Sequence, residues 1–158
     1  MGMKQILVML VAVMLVGCGK KADATEQFQL GKMYYKGGLV ARDTKKAVEF
    51  FQLAADQNHA MVQNMLGYMY INGEGVNKDS KKAVEFFRLA ASQGLADAQT
   101  SLGFYYASGE KGEKDFKEAM GWFQKAANQG DAVAQESLSR LLVEHPELAN
   151  PNPLRKTP

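Results

Sequence analysis

Beyond Lys21 the chain superposes on itself at a shift of 36 residues without a gap, and this internal repeat constrains the fold more than any other feature. Gln27, Gln63, Gln99 and Gln135 fall in register, as do Leu30, Leu66, Leu102 and Leu138, and likewise Gly31, Gly67 and Gly103. Later in each copy come Asp43, Asp79 and Asp115, then Phe51, Phe87 and Phe123, then the pairs Ala54-Ala55, Ala90-Ala91 and Ala126-Ala127. The copies span residues 24–58, 60–94 and 96–130; residues 132–145 repeat only the opening helix and read as a cap, and a proline-rich tail covers 146–158. One such unit cannot bury its apolar face alone, so stacked helix-turn-helix units are expected.

The second copy shows the punctuation best. Ala60 to Tyr70 reads as a first helix, A, broken by Asn72-Gly73-Glu74-Gly75. Asp79 suits the N-cap of a second helix, B, because its carboxylate accepts from the free amides of the next turn. Helix B runs on to Ala91, and Gly94 closes it with the residue best able to turn left-handed. Gly67 lies inside helix A, where glycine costs about 1 kcal/mol against alanine. Close approach of the two helices explains it, with the Ala-Ala pairs as matching small residues. Phe50, Phe86 and Trp122 are expected to fill the space between units.

The 46% hydrophobic content is that of an ordinary globular chain. A net charge of +2 is too small to mark a nucleic-acid binder. With one cysteine and only His59 and His145 there is neither a disulfide framework nor a Cys/His cluster at metal-ligand spacing, so no metal and no cofactor are expected.

The lone Cys18 has its own explanation. Lys4 precedes an apolar run from Ile6 to Val16, too short to cross a bilayer core, which takes about 20 residues, and of the length of a secretory signal. Leu15-Val16-Gly17-Cys18 resembles the bacterial lipobox, which implies a signal peptide at 1–17, lipid on Cys18 and a linker at 18–23. Gly19 rather than Asp after the cysteine implies the outer membrane, facing the periplasm, as the location.

The tract Ala96-Asp97-Ala98-Gln99-Thr100-Ser101-Leu102-Gly103, the turn Asn72 to Asp79, and Lys82-Ala83 followed by Phe86-Phe87 and Ala90-Ala91 resemble the Sel-1-like repeat (SLR), a relative of the tetratricopeptide repeat. The resemblance implies an all-α, right-handed α-solenoid that binds a protein partner on its concave, helix A side rather than a small-molecule substrate. Some lipoproteins of this kind neutralise toxic phospholipase effectors, so an immunity protein is the alternative to an adaptor. The first copy lacks the second turn glycine at Gly38-Leu39, Glu110-Lys111-Gly112 displaces it in the third, and Ser139 replaces the helix glycine in the fourth.

Positions shared by the copies report packing, whereas positions that differ on one face are open to recognition. On helix A this face holds Phe28, Tyr35, Met61, Asn64, Tyr68, Ile71, Thr100 and Phe104, which are the predicted partner-binding residues. Asp43, Asp79 and Asp115 read as caps, and His59 and His145 as solvated residues at helix ends. Ser80 is followed three places on by Ala83, so an S-x-x-K nucleophile is missing, and no enzyme activity is expected. Lys45-Lys46, Lys81-Lys82, and Lys114 with Lys117, form a basic stripe at the start of each helix B, offset by Glu49 and Glu85 one turn on.

Overall fold

In a computed structural model, which describes residues 22–38, 40–109 and 115–149, the described elements are helical. Among the described residues seven α-helices follow one another: α1 (Ala24–Lys36), α2 (Thr44–Ala55), α3 (Ala60–Asn72), α4 (Ser80–Ser92), α5 (Ala96–Ser108), α6 (Phe116–Ala127) and α7 (Ala132–Glu144), with a 3-10 turn at Pro146–Ala149. The fold is therefore all-α, of the helical-repeat solenoid class. Two compact units divide it, Met1–Leu89 and Ala90–Pro158. Cys18, the signal segment, Leu39, residues 110–114 and residues 150–158 lie outside the described residues.

Capping falls on the aspartates. The carboxylates of Asp43, Asp79 and Asp115 accept from the backbone N–H of Lys46, Lys82 and Glu118 at 3.0, 3.0 and 2.9 Å. Each satisfies one of the amides that a helix start leaves without a partner. The same aspartates donate their own N–H to the carbonyls of Tyr34, Tyr70 and Tyr106, at 2.9, 2.9 and 3.0 Å, and so fasten the start of each helix B to the end of its helix A. Asp23, the last residue of the expected linker, forms a capping box with Glu26 at the head of α1.

After helix B the chain turns through a left-handed residue: Asn58 in the first copy (φ 62°), Gly94 in the second (φ 87°) and Gly130 in the third (φ 89°). Asparagine is the non-glycine residue that reaches this region most readily, so the exchange keeps the turn.

The first unit has its core in Ala47, Phe51, Val62, Leu66, Ala83 and Phe87, and the second in Ala98, Leu102, Ala119, Phe123 and Ala134, all buried. A Cβ on Gly31, Gly67 or Gly103 would overlap the ring of Phe51, Phe87 or Phe123 respectively. Helix A does come close to helix B at its glycine, but what it meets is an aromatic ring. The Ala-Ala pairs serve a different contact. The Gln63 side-chain amide donates to the Ala55 carbonyl at 3.0 Å, Gln99 to Ala91 at 3.4 Å and Gln135 to Ala127 at 3.3 Å. The small alanines let the next helix A come near enough for its glutamine to satisfy a carbonyl at the end of helix B.

Phe50 and Phe86, expected to fill the space between units, stack on Tyr34 and Tyr70 of their own helix pairs, with centroids 5.5 and 5.6 Å apart and planes within 7° and 13°. Trp122 is partly exposed, with its indole N–H donating to Glu118 and the Lys125 ammonium 4.0 Å from the ring centroid.

Candidate interaction face on helix A

The predicted face divides when its burial is read residue by residue. On α3, Met61 and Tyr68 stand two turns apart and expose 54% and 47% of their surfaces; on α5, Phe104 exposes 45%. Tyr68 meets Phe87 edge-on with centroids 5.1 Å apart, and Phe104 meets Phe123 in the same way at 5.1 Å. Each thus rests one edge on the ring that fills the glycine gap and turns the rest outward, an arrangement favoured by the ring quadrupoles.

Asn64 and Thr100 do not belong to that face: both are buried. They lie one turn before Gly67 and Gly103, hence on the side of helix A that its neighbours approach, and helical spacing alone cannot tell that edge from the free one. Phe28 is half-covered, with its ring 5.1 Å from that of His59 and 6.1 Å from Phe51, and Ile71 is half-covered too.

Tyr35 is held by its surroundings. Its hydroxyl donates to Glu74 at 3.1 Å, and Arg42 pairs with the same carboxylate at 3.1 Å. Burial, then the hydrogen bond to Glu74 and its negative charge, push the phenol above its ordinary value, while Arg42 pulls it down.

The basic stripe is partly engaged. The Lys46 and Lys82 ammonium groups lie 5.5 and 4.9 Å from the ring centroids of Tyr34 and Tyr70, and Tyr70 holds Lys82 above its usual value. His145 is not a solvated histidine: its ring stacks on Phe116 at 3.9 Å and its Nδ1 sits 3.0 Å from Glu147. Among the described residues no group of three His, Cys, Asp or Glu side chains could hold a metal ion, and no helix is long and apolar enough to cross a membrane.

These helix pairs, with a glycine-to-phenylalanine contact and an aspartate cap in each, define a helical-repeat protein. The Sel1 repeat model matches residues 27–59, 60–95 and 96–131, and the chain belongs to the Sel1-repeat family. Repeats of this family generally mediate protein–protein interaction and are typically non-catalytic. The fold is similar to the crystal structure of c5321, a protective antigen present in uropathogenic Escherichia coli strains displaying an SLR fold, at 34% identity and a TM-score of 0.73 over 77% of this chain and 26% of that one. It is also similar to a Sel1 repeat protein from Oxalobacter formigenes, at 35% identity and a TM-score of 0.71 over 77% of this chain and 50% of that one. The chain thus spans half or less of the length of either protein. No curated protein matches it.

Proposed function

We propose that this protein is a lipid-anchored adaptor of the bacterial envelope that binds a protein partner through the exposed residues of helix A. The observation that carries the reading is the pair Met61 and Tyr68: two large side chains, aligned on one helix, each leaving about half its surface to water in a family of interaction repeats. Large apolar side chains that cluster at the surface mark binding sites, and aromatic anchors usually carry most of the affinity. Phe104 offers an equivalent anchor in the second unit. Asn64 and Thr100 are left out of the contact set because they are buried.

The envelope assignment rests on the run from Ile6 to Val16 and on Cys18. Thioether lipidation of Cys18 and the outer membrane facing the periplasm are the expected anchor and location. The test is affinity capture with the full chain from envelope extracts, followed by mass spectrometry and by repetition with Tyr68→Asp. A partner retained by the wild type and lost with the variant supports the reading; one retained equally by both overturns the chosen face.

A further inference from the structure

The second unit contains a cavity of about 310 Å³, at the small end of the range for ligand sites. Its walls include Phe104, Phe123, Phe116, Arg140 and Ser137, with Ala107 at one side and the Glu144 carboxylate also on the lining. We propose that this cavity receives a tyrosine side chain of a partner polypeptide.

The repeat register explains why the space exists. Ala107 stands where Tyr35 stands in the first copy and Ile71 in the second. In the first unit the Tyr35 ring lies against Phe51, with centroids 6.3 Å apart, and its hydroxyl reaches a polar partner, Glu74. Phe123 is the counterpart of Phe51, and it is retained, while the ring that would lie beside it has shrunk to the methyl group of Ala107. The fold thus displays, in its own first unit, the kind of side chain that its second unit leaves out.

A second observation is independent of that register. The Ser137 hydroxyl is buried, lines the cavity and has no hydrogen-bond partner within the protein. Ser101 occupies the same position one copy earlier, and its hydroxyl donates to the Asp97 carbonyl at 2.8 Å; Ser139 likewise donates to Gln135 at 2.9 Å. A helical serine has this local partner within reach, so a buried hydroxyl left without one points to a partner from outside.

The walls specify the chemistry. Three phenylalanine rings and a guanidinium suit an aromatic ring, through edge and face contacts and cation–π attraction, better than an aliphatic chain. The Phe116 wall is fixed by the His145 ring stacked on it, itself held by Glu147. A phenol adds the polar atom that Ser137 lacks. Tyrosine brings large contact area with few rotatable bonds, which suits it to a preformed hollow of this size.

The inference rests on the reading that these repeats bind protein, and its test is separable from that reading. Saturation-transfer NMR is run on the full chain in detergent micelles with N-acetyltyrosinamide, N-acetylphenylalaninamide and N-acetylleucinamide as probes. Tyrosinamide is expected to bind in the millimolar range, about threefold tighter than the phenylalanine probe and about tenfold tighter than the leucine probe. Ser137→Ala should erase the difference between tyrosine and phenylalanine while leaving phenylalanine binding in place. Ala107→Tyr and Ala107→Ile, which copy the other two repeats, should abolish binding while circular dichroism stays unchanged. No binding to the wild type, equal binding of the leucine probe, or binding that survives both Ala107 variants would overturn the proposal. A partner whose capture is insensitive to Tyr68→Asp, with tyrosinamide still bound here, would remove the helix A face and keep the cavity.

Discussion

The ring of Phe87 occupies the space that a side chain on Gly67 would need. Glycine at that position is thus a packing requirement that outweighs helix propensity. Gly67→Ala is expected to destabilise the protein by about 1–3 kcal/mol, although propensity alone would favour alanine by about 1 kcal/mol. Gly121 supplies the control: it lies in α6, exposed, with open space where a Cβ would go. Gly121→Ala should stabilise by about 0.5–1 kcal/mol. Urea unfolding of the two variants gives shifts of opposite sign if the ring contact is the cause.

Tyr68 and Phe104 are half-packed and half-open, so their replacement separates binding from folding. Tyr68→Asp, and separately Phe104→Asp, should weaken partner binding by about 2 kcal/mol or more, with the melting temperature and helical content close to wild type. Calorimetry against the captured partner, paired with thermal melts, checks both halves. Unfolding of either variant would show that its ring is structural.

The raised phenol of Tyr35 implies an alkaline limit on stability. A group that holds its proton more tightly when folded contributes in full below its unfolded value, here about 10. That contribution is lost as the pH rises through the higher folded value. Tyr35→Phe should flatten this part of the stability profile, and the difference in phenolate absorbance between wild type and variant should show the Tyr35 phenol ionising above its ordinary range.

Cys18 is the chain's only thiol. Metabolic labelling with palmitate in cells should therefore mark the wild type and leave Cys18→Ala unmarked, with the variant released from the membrane fraction. Label retained on Cys18→Ala would overturn the lipid anchor.

Much of this fold is legible in the sequence because a repeat is several observations of one contact. The aspartate caps, the helix glycines and the helix pairs all follow from recurrence. What recurrence does not disclose is the partner across each contact: it placed Gly67 against an alanine pair, whereas Phe87 is the residue that fits there. Nor does it separate the two edges of the free face. Asn64 and Tyr68 are one turn apart, yet one is enclosed by neighbouring helices and the other is open. The cavity was signalled by the exchange of Tyr35 for Ala107, but a small residue at a variable position announces a hollow only once the surrounding rings are placed. His145 escaped because Phe116 stands where the other copies have Thr44 and Ser80, and Glu147 lies beyond the repeats.

The glutamine bonds from Gln63 to Ala55, Gln99 to Ala91 and Gln135 to Ala127 each span eight residues. A bond repeated at one separation acts as a ruler: it sets how many residues pass between the end of one helix pair and the start of the next. An inserted residue there would carry the glutamine about 100° around its helix and strand the amide away from its carbonyl. The turn from helix A to helix B carries a ruler of its own, the backbone bonds from Asp43 to Tyr34, Asp79 to Tyr70 and Asp115 to Tyr106, each spanning nine residues. With both joints measured, such an array grows by whole helix pairs rather than by single residues.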